Sequence, residues 1–243
     1  MCGRYALITP PESLRKLLGF TNQPNFPARY NIAPTQPIQI LRQPAGSREL
    51  ATVRWGFVPS WMKPEQVAQS QRPQHNARGE TVAEKPFFRD AFKQHRCLIP
   101  ADAFYEWNPK TKQPFCVRRR DGAPFMMAGL ASFWQGADGS EIESCAVITT
   151  QANETLLPIH HRMPVMLAQK DWADWLETPA GKAKNLQSLL TAAPEADFEG
   201  VPIDRAVNKL ENDTAALWQA VAVEAKPSEP VVAPKPNPQM DLF

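Results

Sequence analysis

Cys97-Leu98-Ile99-Pro100-Ala101 and Phe104-Tyr105-Glu106-Trp107 are two short runs separated by Asp102 and Ala103. The first is continuously apolar and reads as a buried strand. The second reads as a strand with alternating faces. Glu106 is its one charged residue, set between two aromatics. If it is buried its pKa rises and it suits general acid or base work; an outward-facing Glu on an edge strand fits the same letters. Further strands are expected on either side, at Ile38–Leu41, Leu50–Trp55, Phe115–Arg119, Phe125–Phe133 and Cys145–Thr149, with Asp-Gly turns at Asp121-Gly122 and Asp138-Gly139. Many short strands with such turns match a mostly antiparallel, barrel-like sheet.

Helices are few in this reading. Thr9-Pro10-Pro11-Glu12 has the form of a capping box, and Leu14, Leu17 and Leu18 follow on one helical face up to Gly19. A helix carrying Phe87, Phe88, Ala91 and Phe92 is expected after residue 81, one starts at Asp171 with Trp172, Trp175 and Leu176, and another turns Leu186, Leu189 and Leu190 inward. Residues 21–37 and 62–74 read as loops.

The chain has 243 residues, 43% of them hydrophobic and 21% charged, the balance of an ordinary soluble globular protein. No apolar run reaches the length of a membrane span, and the amino terminus lacks the basic-then-apolar form of a secretory signal, so a cytoplasmic protein is expected. Cys2, Cys97, Cys116 and Cys145 are widely spaced without a CxxC pair and read as free thiols. Net charge is +2, so any nucleic-acid surface must come from clustering of cations rather than bulk charge.

The chain opens Met1-Cys2-Gly3-Arg4. The side chain of Cys2 is small, so removal of Met1 is expected. It leaves a free α-amine and a thiol on neighbouring carbons, with ordinary pKa values of about 7.7–8.0 and about 8.5. An amine condenses with an aldehyde to a Schiff base, and sulfur is a strong nucleophile. Together they close on one aldehyde carbon as a five-membered thiazolidine.

Other segments carry chemistry-bearing residues. Trp55 reads as core, whereas Trp61, after Pro59-Ser60, reads as exposed and free to stack. His75-Asn76-Ala77-Arg78-Gly79-Glu80-Thr81 is either a helix cap or a functional group of residues. The run Arg118, Arg119, Arg120 reads as a solvated edge. In Ile159-His160-His161-Arg162-Met163-Pro164, one histidine suits proton transfer. Adjacent histidines with no cysteine pair are a weak zinc signal, and no metal or other cofactor is expected.

Eight segments, in order, resemble one family, the SOS response-associated peptidase domain, whose members are abasic-site processing proteins: Met1–Tyr5, Arg29–Thr35, Trp55-Gly56 with Pro59-Ser60-Trp61, Asn76-Ala77-Arg78 with Glu80-Thr81, Cys97–Asp102, Phe104–Trp107, Ile159-His160 with Arg162-Met163-Pro164, and Val207-Asn208 with Asn212-Asp213. Gly79, Ala103 and His161 depart from the residues common at those places. The resemblance implies an α+β fold, a mostly antiparallel barrel-like sheet with peripheral helices, over residues 2–222. It implies an abasic-site sensor for single-stranded DNA, acting at replication forks, in which Cys2 forms a thiazolidine crosslink. It also implies a slow lyase activity and self-cleavage after Met1. Cys2 is then the nucleophile, Asn76 orients its amine and the sugar, and Glu106 and His160 move protons. Arg4, Arg29, Arg78 and Arg162 are candidates for phosphate contacts, and Pro34, Trp61 and Trp107 for stacking or wedging. A monomer associated with the nucleoid is expected.

Residues 223–243 are proline-rich and read as a disordered tail ending Gln239-Met240-Asp241-Leu242-Phe243. That end looks like the bacterial sliding-clamp-binding pentapeptide, with Gln239, Leu242 and Phe243 as its contacts. Two other functions fit the letters. A thiol peptidase would use Cys2, His160 and Asn76 or Glu106 on other proteins. A non-catalytic single-strand-binding module would use the arginines and tryptophans alone.

Overall fold

The computed structural model describes residues 2–69 and 73–222. In chain order the strands are β1 (Tyr5–Leu7), β2 (Arg29–Ile32), β3 (Pro37–Arg42), β4 (Glu49–Trp55), β5 (Asn76–Arg78), β6 (Arg96–Ala101), β7 (Ala103–Trp107), β8 (Pro114–Arg119), β9 (Phe125–Gln135), β10 (Glu141–Gln151), β11 (Arg162–Pro164), β12 (Met166–Leu167) and β13 (Phe198–Pro202). The α-helices are α1 (Pro11–Leu18), α2 (Pro64–Gln69), α3 (Arg89–Gln94) and α4 (Trp172–Glu177), and short 3₁₀ segments fill many connections.

Five strands close into a barrel. β4 pairs with β3, β3 with β6, β6 with β9 and β9 with β10, all antiparallel, and β10 returns to β4 in parallel. Closure removes the sheet edges. All six residues of β6 are buried, which is why Cys97–Ala101 is apolar without alternation. Gly129 of β9 sits opposite Cys97, and a Cβ there would lie 2.7 Å from Ile99 Cδ1 and 2.8 Å from Cys97 Sγ. Only glycine leaves room for that approach.

The second sheet is antiparallel throughout, in the order β13-β8-β7-β1-β2. The period of two along β7 divides its side chains. Phe104 packs into the main core with Tyr5, Leu7 and Val117, whereas Ala103 and Tyr105 join a small second core with Ala6, Cys116, Ile203, Val207 and Leu217. Asp102 locks the first strand to this pair: its carboxylate accepts from the Ile8 and Thr9 amides (2.6 and 2.8 Å) and the Thr9 hydroxyl (2.5 Å).

The strands expected from sequence are present, each within a few residues of its expected bounds, and the α+β, mostly antiparallel, barrel-like fold holds. Local details differ. Thr9 gives its hydroxyl to Asp102, so the capping box does not form, and Pro11 alone starts α1, which ends at Gly19 with φ +70°. β2 lies inside the segment read as a loop at 21–37, and α2 inside that at 62–74. Asn76-Ala77-Arg78 is a strand parallel to β10 rather than a helix cap. Phe87 and Phe88 precede α3 rather than lying within it. Ala180–Leu189 is 3₁₀, which explains the spacing of three between Ala183, Leu186 and Leu189. The tail read as disordered lies outside the described residues. No described helix is long and apolar enough to cross a membrane.

Candidate active site at the amino terminus

Cys2 is fully buried, just before β1. Asn76, the first residue of β5, donates its Nδ2–H to the Cys2 carbonyl at 2.7 Å. Its Oδ1 is buried and has no hydrogen-bond partner among the described residues. Pairing of β5 with β10 (Asn76 opposite Val147) fixes this amide.

Glu106 alternates with Tyr105 on β7, so it points with Phe104 toward the main core and is only 4% exposed. It shares a narrow crevice with Phe104, Val117, Leu156, Ile159, His160 and Arg162. Burial raises its pKa to about 7. The same burial, with the Glu106 charge added, pushes the Cys2 thiol well above its ordinary value. The resting sulfur is therefore a thiol and needs a base to lose its proton.

His160 is held by backbone. Its Nδ1 lies 3.0 Å from the Arg162 amide nitrogen, 3.1 Å from the Arg162 carbonyl oxygen and 3.9 Å from Glu106 Oε1. Burial lowers its pKa, so the ring is neutral near pH 7. His161 is exposed and packs over it at 4.4 Å between ring centroids. Cys2, Asn76, Glu106 and His160 thus meet where β7, β5 and the loop before β11 converge at the start of the chain. Among the described residues no group of histidines, cysteines and carboxylates is placed to hold a metal ion.

The residues read as DNA contacts divide. Arg162 is 8% exposed and grips both oxygens of Glu80 (2.5 and 3.0 Å) and the Thr149 carbonyl (2.7 Å). Arg162 in turn holds the Glu80 carboxyl below its usual range. Arg4 donates to Asn31 Oδ1 (2.8 Å) and the Val207 carbonyl (2.7 Å), and its guanidinium lies 5.9 Å from the Trp107 ring centroid. Arg29 is paired with Asp213 at 2.6 Å and bonds Gln36 at 2.9 Å. Arg78 is exposed. Pro34 is half-buried before Thr35, whose φ is +76°. Trp61 is 55% exposed and packs edge-on against Phe87. Trp107 is half-buried and donates Nε1–H to Asn208 at 2.8 Å. Gln239, Leu242 and Phe243 lie outside the described residues.

Residues given no role by the sequence reading also organise the site. Buried Asn31 bonds the Val207, Lys209 and Asn212 carbonyls, and Asp213 caps the Tyr30 and Asn31 amides. Together they hold segment 205–213 over β2 and Arg4. The available signal was a polar Asn followed by Ile32 and Ala33 where apolar residues begin.

Residues 1–210 match the family model described as SOS response associated peptidase (SRAP). Over 226 residues the chain is 34% identical to the abasic site processing protein YoqW of Bacillus subtilis, covering 90% of this chain and all of that one. It is 31% identical over 231 residues to the abasic site processing protein YedK of Escherichia coli, covering 91% of this chain and all of that one. The crystal structure of a protein from Bacteroides thetaiotaomicron superposes with a TM-score of 0.81 at 25% identity, covering 90% of this chain and 100% of that one. The chain belongs to the SOS response associated peptidase (SRAP) family.

Proposed function

We propose that this protein captures abasic sites in single-stranded DNA as a covalent thiazolidine on Cys2. The observation that carries the reading is the grip of Asn76 on the Cys2 backbone, with a carboxyl of pKa about 7 in the adjoining crevice. The names of its relatives, abasic site processing proteins, point the same way.

Loss of Met1 frees the Cys2 amine. Asn76 Oδ1 is left to accept an N–H from that amine or a sugar hydroxyl. The amine adds to the C1′ aldehyde of the ring-opened sugar to give a carbinolamine. Neutral Glu106 protonates its hydroxyl, which leaves as water, and an iminium remains. The Glu106 carboxylate then takes the thiol proton, and sulfur attacks the iminium carbon. One water is released overall, and Glu106 ends as it began, protonated. His160, neutral and facing Glu106, relays protons to solvent. At the imine stage, loss of a C2′ proton with departure of the 3′ phosphate gives a slow lyase side reaction. Attack of Cys2 sulfur on the Met1 carbonyl, followed by hydrolysis, gives the self-cleavage that exposes the amine.

A protease acting on other proteins would need a thiolate at rest, which a cationic histidine favours. Here the thiol is buried beside a carboxyl and the histidine is neutral, which favours the aldehyde reading. The tail, Gln239–Phe243, we read as a sliding-clamp ligand that brings the protein to replication forks.

The test is incubation of the Met1-trimmed chain with a single-stranded oligonucleotide carrying one abasic site, followed by a denaturing gel. A heat-stable slow band that needs the abasic site and is lost in Cys2→Ala is expected. No band from trimmed protein and intact aldehyde sinks the proposal.

A further inference from the structure

Three of the four arginines first in line for phosphate contact are engaged inside the protein, by Glu80 and Thr149, by Asn31 and Val207, and by Asp213 and Gln36. A protein that captures a site in a polyanion still needs exposed cations along the strand's path. Lys110, Lys112, Arg205 and Lys209 are all exposed, and none forms an ion pair among the described residues.

These four belong to one surface. Asn108 Oδ1 accepts from the Lys110 and Thr111 amides (3.0 and 3.1 Å), and Lys112 takes φ +59° to close the turn between β7 and β8. Arg205 donates to the Thr111 carbonyl at 3.3 Å, joining that turn to segment 205–209. Asn208, next to Lys209, holds the Trp107 indole. On the other side, Asn108 donates to the Pro158 carbonyl at 2.9 Å, two residues before His160. The cations therefore sit on a tethered rim that begins at Trp107, next to Glu106 in sequence, and runs outward. Asp204, Glu211 and Asp213 are the carboxylates on this stretch; Asp204 is turned to the Ala206 amide and Asp213 to Arg29 and the Tyr30 and Asn31 amides. Exposed Leu157 and Leu210 stand on the two tethered segments. Cations interleaved with apolar side chains suit a single strand, whose base faces are open to contact, better than a duplex, whose base faces are stacked inside.

We propose that Lys110, Lys112, Arg205 and Lys209 form a phosphate track for the single strand that flanks the captured site, leading away from it over Trp107. The proposal rests on the capture reading for its substrate. Its measurement is independent of capture.

The test is equilibrium binding of a fluorescent oligo-dT without an abasic site to the full-length, Met1-trimmed chain across a salt series. In Lys110→Gln/Lys112→Gln/Arg205→Gln/Lys209→Gln, the slope of log Kobs against log salt becomes shallower by about 2 to 3, at roughly 0.7 per phosphate neutralised on a single strand. The Lys110→Arg/Lys112→Arg/Lys209→Arg variant keeps the wild-type slope. Single Gln variants, with the wild-type unfolding midpoint, each lose about 0.7 of slope. A slope and affinity equal to wild type in the quadruple variant overturns the track, even if capture of an abasic oligonucleotide persists. Failure of capture itself looks different: no crosslinked band from wild type, with salt-dependent binding and its loss in the quadruple variant unchanged.

Discussion

The barrel interior and the amino-terminal site each bury cysteines, in surroundings that differ in kind. Cys97 and Cys145 lie in the barrel, and burial pushes both thiols up, as it does Cys2. Around Cys97 the neighbours are apolar and so close that Gly129 can carry no side chain. Around Cys2 they are an amide holding its backbone, a carboxyl and a neutral imidazole. Burial alone makes a thiol inert. In the proposed mechanism, a carboxyl that can accept its proton and an amine freed on the neighbouring carbon turn the same burial into a protected reaction site.

The contrast breaks most sharply at sulfur. Cys2→Ser keeps the amine but not the thiol, so it should form an imine that borohydride traps and heat releases, while Cys97→Ala and Cys145→Ala retain the heat-stable product. A stable product from Cys2→Ser would place the chemistry elsewhere. Glu106→Gln should slow capture by about 10²–10⁴-fold, the usual worth of a positioned acid–base group. It should also remove a pH dependence of stability. The folded pKa of about 7 exceeds the unfolded carboxyl value, so the contribution is fully present below the unfolded pKa and is lost as pH rises through about 7, at no more than roughly 1.4 kcal/mol per pH unit. Denaturant titrations at several pH values, wild type against Glu106→Gln, measure the difference.

Asn76→Ala releases the Cys2 carbonyl and should cost on the order of 10²-fold in capture rate, through misplacement of the amine. Unchanged single-turnover kinetics would reduce Asn76 to a strand residue. In the barrel, Gly129→Ala should cost about 1–3 kcal/mol in chemical unfolding and leave the capture rate of folded protein untouched. The smallest effect on capture is expected from deletion of residues 239–243: none on the isolated oligonucleotide, with binding to a purified sliding clamp abolished.

Much of the fold was legible because its determinants are local. Continuous apolar residues at 97–101, Asp-Gly turns and alternation at 104–107 announce strands wherever they occur. β2 was missed because Pro34 and Pro37 follow it closely and its pairing depends on β1 and Asp213 rather than on its own pattern. The candidate groups at Cys2, Asn76, Glu106 and His160 were likewise readable, since aminothiol, amide, carboxyl and imidazole carry their chemistry in the side chain.

Position decided the rest. Arg162 and Glu80 are 82 residues apart, and only the placement of β11 and β5 beside β10 makes them partners. Arg4 meets Val207 across 203 residues. An arginine's letter states its charge but not whether that charge faces DNA or a carboxylate. The choice between an edge Glu106 and a buried one rested on which face of β7 meets the main core. The strand's alternation defined two faces, and the packing of the second sheet against the barrel chose between them, because burial is a property of the partners brought together and not of the strand.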